Sequence, residues 1–329
     1  VIVVGLSNGN VEGIKDHAAR INDFRQAAID HTVPPIRCAV DQIGCINSRG
    51  EADSLIVIRV DPGEVVHETK SGECYLRVGD ESRKLPHDMR QELAFDRGQG
   101  QFDGHPADGA RVDDLDERLL RHFRDATRAS GTFTQLMQAR SLLTRQGTVT
   151  NAGYLLFAPQ PGELFPQAHI RVIRYLSTQR GSGSRLMLDA ESDTRVEGPI
   201  PRQIEEAAKF IEQIIPKRRA LRASGLFEDE PIVPRDAWLE AVVNAVIHRS
   251  YSLGGDHIRV EIFPDRVEVE SPGRFPGLAD PRRPLEIGRF ARNPRIARVC
   301  ADLRIGQELG EGIRRIFEEM RRVGLTDPV

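Results

Sequence analysis

The stretch EAVVNAVIHRSY, residues 240–251, places Glu240, Asn244 and His248 at four-residue intervals in an otherwise apolar run. Residues four apart on an α-helix lie nearly above one another, so these three share one face. Trp238, Leu239, Val242, Val243, Val246 and Ile247 fill the rest of the helix and are suited to cover a sheet. The polar row is therefore expected to line a cleft. An amide oxygen is a hard ligand suited to Mg²⁺, which draws its remaining ligands from water and substrate phosphates, and a nearby carboxylate can share the ion or orient a water. The pair Glu240 and Asn244 points to phosphate chemistry.

The flanking sequence supports a sheet under that helix. HIRVEIF, residues 257–263, alternates polar and apolar, and after a PDR turn the chain returns as VEVES. Such alternation belongs to a sheet with one buried and one wet face. Asn293-Pro294 reads as an N-cap followed by proline at the first helical position. GEG, residues 310–312, opens a further helix whose stripe is Ile313, Ile316, Phe317 and Met320, and glycines there offer bare backbone N–H groups to phosphate oxygens. The same glycines also suit a simple turn. Arg282, Arg283, Arg289, Arg292, Arg295 and Arg298 crowd the segment between, suited to closing over a polyanion or to lying on a solvated surface.

Upstream, a long helix is expected over 201–222, with Ile204, Ala208, Ile211 and Ile215 in one stripe and KRRALR as its basic end. AGYLLFA, residues 152–158, and HIRVIRYL, residues 169–176, read as strands, and 113–145 as mainly helical. DRGQGQFDGHPADGA, residues 96–110, is rich in Gly, Asp and Gln and reads as a linker. Before it come a turn through Asn8-Gly9, a helix over 17–31, and β-rich runs at 54–60 and 74–78, the latter two bounded by Pro62-Gly63 and Gly79-Asp80. Opening directly in an apolar strand is expected of a chain whose biological start lies upstream, and GLTDPV of a cut end.

Composition narrows the function classes. With 329 residues, two domains are expected. Lys plus Arg number 46 against 49 Asp plus Glu, so there is no whole-molecule attraction to polyanions and any such site is a local patch. Four scattered cysteines form no C-x-x-C pair, which argues against structural zinc and a disulfide framework and fits a reducing cytoplasm. No membrane span or signal peptide is visible.

The order of the motifs, EAVVNAVIHRSY, DRVEVESPGRFPG, RNPRIA and ELGEGIRRI, resembles the GHKL ATPase-like domain of the RecG-like C-terminal family in bacterial regulators, over about 110–329, with TVTNAGYLLFAPQPGELFPQAHIRVIRY resembling the strand pair before its nucleotide fold. VIVVGLSNGNVEGI, PPI and CYLRVGDESRKLP are similar to the Schlafen-type Alba-like (AlbA_2) domain. The resemblance implies an α+β chain: an Alba-like module over 1–95, a linker over 96–112, and over 113–329 a GHKL (Bergerat-like) α/β sandwich with a mixed sheet covered by helices. It implies ATP or a related nucleotide with Mg²⁺ as ligands. Asn244 and Glu240 would hold the metal, with Glu240 as general base; His248, Ser271, Gly273, Arg292, Gly310 and Gly312 would contact the nucleotide. His248 suits either a phosphate-side donor or a hydrogen-bonded helix-end histidine. Ser271 departs from the family, which places an aspartate there for the adenine amine, and a neutral hydroxyl accepts more weakly.

Arg77 and Lys84 are candidates for nucleic-acid backbone contact, or ordinary surface charges. Only 5% of residues are aromatic, which leaves little stacking platform for single strands. The expected function is a cytoplasmic, nucleotide-responsive, DNA-binding transcriptional regulator, with self-association implied by the resemblance. Three alternatives stay open: a GHKL-type ATP-hydrolysing enzyme, a Schlafen-like RNA nuclease with its acids upstream of this sequence, and a non-binding scaffold.

Overall fold

A computed structural model describes all residues except 61, 62, 64, 79, 80, 222–224, 276–281, 288, 289 and 307–310, and omits the side chains of 184, 220 and 221. The chain divides into two compact units, Val1–Gly100 and Gln101–Val329.

Unit one comprises β1 (Ile2–Val4), β2 (Leu6–Ser7), β3 (Asn10–Val11), α1 (Ile21–His31), β4 (Thr32–Val33), β5 (Cys38–Ile46), β6 (Ala52–Val60), β7 (Glu68–Thr69), β8 (Tyr75–Val78), β9 (Glu81–Lys84) and α2 (His87–Asp96). β1, β6 and β5 form an antiparallel sheet in that order, and β8 pairs with β9. Asn8 and Gly9 both take positive φ, 50° and 82°, which is what a primed turn between β2 and β3 requires. Asp53 knots this end together by accepting from the backbone N–H groups of Ile14 and Lys15 at 3.0 and 2.9 Å. Gly13 makes room for that carboxylate, since a Cβ there would lie 2.1 Å from Oδ2.

Unit two comprises α3 (Glu117–Thr127), α4 (Phe133–Ala139), α5 (Asn151–Phe157), β10 (Ile170–Tyr175), β11 (Leu188–Val196), α6 (Ile200–Ile214), β12 (Lys217–Leu221), β13 (Phe227–Pro231), α7 (Arg235–His248), β14 (Ile258–Ile262), β15 (Val267–Glu270), α8 (Pro294–Asp302) and α9 (Gly312–Arg322). Its sheet has the order β11-β10-β14-β15, with β10 and β14 parallel and both outer pairs antiparallel. The fold is thus α+β, a mixed sheet with helices on one face, as in a GHKL-like sandwich. Alternation decides the faces: Ile170, Val172, Ile258, Val260 and Ile262 join the core with α5, α6 and α7. On the opposite face Tyr175 stacks on Phe263 at 4.8 Å and donates its hydroxyl to Glu261 at 3.1 Å.

Several expectations are corrected. Residues 152–158, expected as a strand, lie in helix α5 and its C-cap, so β10 follows a helix and not a partner strand. All seven residues of α5 are buried, so no polar face marks its period, and the Thr150 hydroxyl caps it by accepting from the Gly153 N–H. The helix expected over 201–222 ends at Ile214, before Pro216. Lys217–Leu221 is instead a strand against Phe227–Pro231, with Arg218 opposite Glu230 and Arg219 opposite Asp229. Residues 101–112, in the stretch expected to link the modules, pack within unit two: Asp103 and Ala107 are buried.

Asn293 sits at the N-cap position of α8 but makes no capping bond. Its amide donates instead to the carbonyls of Ile247 and Arg249, both at 2.8 Å, and so finishes α7. The α8 amino end is capped by Asp103, which accepts from the Arg295 N–H at 2.7 Å and from its guanidinium at 2.9 Å. Gly104 gives that guanidinium its space, for a Cβ would fall 2.3 Å from Cζ.

Candidate functional site

Helix α7 forms one wall of a cavity of about 560 Å³ in unit two. Its apolar side, including Trp238, Val242, Val243 and Val246, is in the core, and Glu240, Asn244 and His248 line the cavity. The four-residue spacing thus does what it was expected to do. The loop after β15 contributes Ser271, Gly273, Arg274 and Phe275, and α9 contributes Gly312, Ile313 and Arg314. Leu285, Ile287 and Phe290 add an apolar wall, so the cavity offers one greasy side and one polar side.

Glu240 and Asn244 are held together. The Asn244 amide donates to Glu240 Oε1 at 3.4 Å, and Arg315 of α9 donates to Oε2 at 3.3 Å. Burial pushes the Glu240 carboxyl up from its ordinary range, while Arg315 and Asn244 pull the other way. Gly312, the first residue of α9, packs directly on the pair: a Cβ there would lie 2.2 Å from Glu240 Oε1 and 2.9 Å from Asn244 Nδ2. Glycine is required for this close approach of helix and carboxylate.

Mg²⁺ bound for nucleotide chemistry takes one or two protein oxygens and leaves the rest to water and phosphate. The Asn244 amide oxygen and the Glu240 carboxylate are donors of that kind on the cavity wall, and the bare Gly312 backbone leaves room beside them. Among the described residues no cluster of three His, Cys, Asp or Glu is placed to hold a metal as an all-protein cage. The donor set fits a metal that keeps water and phosphate as its other ligands.

His248 makes no helix-end bond through Nδ1, which is buried and has no partner among the described residues. Burial first, and the neighbouring Arg292 second, depress its pKa from 6.5 to about 4. It is therefore neutral at physiological pH. The folded state refuses a proton that the unfolded chain accepts, so this contribution to stability is complete above pH 6.5 and drains away as pH falls toward about 4. The full swing is about 3 kcal/mol. Asp103 and Glu240, whose carboxyls burial raises, act with the opposite sign, so the informative measurement is the difference between wild type and His248→Gln. Urea midpoints at pH 7 and pH 4.5 should show a smaller acid loss in the variant; equal losses would refute this assignment.

Ser271 donates its hydroxyl proton to the Ala245 carbonyl at 2.8 Å, which leaves the oxygen toward the cavity as an acceptor only. Gly273 has φ of 119°, and a Cβ there would fall 1.9 Å from Arg292 Nη1. Arg292 does not line the cavity: it is buried and donates to the carbonyls of His248 and Arg274, bracing the end of α7 against the glycine loop. Arg295 is likewise engaged with Asp103. Gly310 and Arg289 lie outside the described residues.

Three residues escaped sequence reasoning. Arg274 and Arg314 line the cavity, and Arg315 holds Glu240. The latter two stand two and three residues after the helix-opening glycine, in the first turn of α9, from which side chains reach an anion, and that was the available signal. Buried Arg249 donates to the carbonyls of Leu253 and Asp256 and closes the loop after α7.

In unit one, Arg77 and Lys84 fall on the same face of the β8–β9 hairpin, where Tyr75 pairs with Lys84 and Arg77 with Ser82. Lys84 and Tyr75 both bind Glu73, at 2.5 and 2.9 Å, so the patch carries its own acid.

Fold and cavity define a two-unit chain whose second unit packs helices on a mixed four-stranded sheet and holds a cavity walled by α7 and α9. Residues 255–329 match the family model described as "Putative ATP-dependent DNA helicase recG C-terminal", and residues 1–86 match that described as "Schlafen, AlbA_2". The two matches, Schlafen AlbA_2 at the amino end and the HATPase-type model at the carboxyl end, fall in the order expected from the motifs. The first match takes in Ser271, Gly273, Arg292 and Gly312 and begins after the α7 row. Among solved structures, the chain is similar to the DIP2311 protein from Corynebacterium diphtheriae, with a TM-score of 0.55, 22% identity, and coverage of 99% of this chain and 62% of that one. That likeness is one of fold. A comparison with curated proteins finds no match. No helix among the described residues is long and apolar enough to cross a membrane, and all four cysteines are free thiols.

Proposed function

We propose that unit two binds ATP or a related nucleotide with Mg²⁺ in the α7–α9 cavity, and that unit one contacts duplex DNA, making the chain a nucleotide-responsive transcriptional regulator of the cytoplasm. One observation carries the reading: Glu240, Asn244, His248, Ser271 and the amino end of α9 share a single cavity with a greasy wall. The apolar side suits a flat base and the polar side a phosphate chain. Ser271 would accept from the base, Asn244 with Glu240 would hold the metal, and the α9 amino end would face phosphate oxygens. Mg²⁺, when bound, supplies charge neutralisation for the phosphates. Arg77 and Lys84 would contact the DNA backbone.

Titration of a fluorescent ATP analogue should saturate in the presence of Mg²⁺, and Asn244→Ala should weaken that binding by about tenfold or more. Saturation that is equal with and without Mg²⁺, and equal in the variant, would remove the metal role; no saturation in either protein would remove the site. Retardation of duplex DNA should weaken as salt rises.

Hydrolysis is the second reading, favoured by Glu240: a partly buried carboxyl with a raised pKa beside Asn244 is equipped to take a proton from water.

A further inference from the structure

We infer that Glu240 is the resident anion of the α9 amino end, and that a phosphate-bearing ligand enters by displacing its carboxylate from Arg315. The proposal rests on the nucleotide reading for the identity of the ligand, but its physical content needs only an anion.

The Glu240 side chain is 12% exposed, and its two oxygens meet Arg315 at 3.3 Å and Asn244 at 3.4 Å. Gly312 brings the α9 backbone onto the same carboxylate, so closely that a Cβ would be 2.2 Å from Oε1. One turn into α9, Arg315 adds a full positive charge to the positive end of the helix dipole. A bare glycine backbone, a helix amino end and a guanidinium are what a phosphate group uses for binding. Here the Glu240 carboxylate takes the guanidinium and packs against the glycine. An incoming phosphate placed beside that carboxylate would meet like charge at close range with little water to screen it, and Arg315 cannot pair fully with both.

Two consequences follow. Anion affinity is held down by an internal competitor, and the Glu240 carboxylate leaves Arg315 only when another anion takes its place. Glu240 acts here as a positioning residue for α9, and its release for work on water is tied to occupancy of the cavity.

The test uses the full chain and inorganic pyrophosphate, with a chelator to remove divalent cations, followed by calorimetry. Glu240→Gln keeps the shape of the side chain and removes the charge, and should bind pyrophosphate at least about fivefold more tightly than wild type. Glu240→Ala is the second variant and carries the same expectation; Arg315→Ala should lose the gain, and Arg315→Lys should keep part of it. Folding of each variant is checked by the fluorescence of buried Trp238. Binding by both Glu240 variants that is equal to or weaker than wild type, or no binding by any protein, overturns the displacement. ATP separates the two ideas. Tighter pyrophosphate binding in the variants with no saturable ATP binding keeps the displacement and removes the nucleotide; saturable ATP binding with no gain in the variants does the reverse.

Discussion

Asp103→Ala is expected to lower the unfolding free energy of unit two by about 3 kcal/mol, among the larger effects a single change can have here. Asp103 is fully buried, accepts from the backbone N–H groups of Arg295 and Ile296, and pairs with the Arg295 guanidinium at 2.9 Å. Burial pushes its carboxyl up, so the charge itself is costly to keep. Removing it costs more, because two amide donors at the start of α8 lose their acceptor together and the Arg295 guanidinium, 23% exposed, loses its carboxylate and is left with the Gln101 amide oxygen. Trp238, the single tryptophan, lies in the core of unit two and reports its unfolding by fluorescence in urea. A loss below about 1 kcal/mol would mean that water replaces the carboxylate without penalty.

Gly312→Ala is expected to cut nucleotide affinity at least about tenfold, or about 1.4 kcal/mol, while leaving stability within about 1 kcal/mol of wild type. Alanine is the better helix former, so the change would stabilise α9 by itself. The added Cβ, however, lands 2.2 Å from Glu240 Oε1 and 2.9 Å from Asn244 Nδ2, so the two groups proposed to hold the metal must both move. Titration beside a melting curve separates the terms. Unchanged affinity in a folded variant would show that nucleotide does not bind at this corner.

Much of unit two was legible from local pattern. The four-residue interval of Glu240, Asn244 and His248 and the two-residue alternation of HIRVEIF each specify a period that one element satisfies and others do not. Where every residue is apolar no period exists, which is why 152–158 passed for a strand and is a helix. Lys217–Leu221 carries helix-forming residues, yet Pro216 stops the helix and the acidic strand Phe227–Pro231 supplies the cross-strand charges that favour β pairing. Cys38–Ile46 and Leu188–Val196 passed unnoticed as strands because polar residues fall on both of their faces.

From its sequence alone this protein fixes a polar row on an apolar helix, because helical geometry places residues four apart on one side whatever surrounds them. Tertiary structure alone decides what that row faces. Gly312 and Arg315 reach Glu240 from α9, Ser271 reaches the Ala245 carbonyl from the loop after β15, and Asp103 reaches α8 across 192 residues of chain. Contacts of that range are set by how the elements pack, and no local pattern of side chains encodes them.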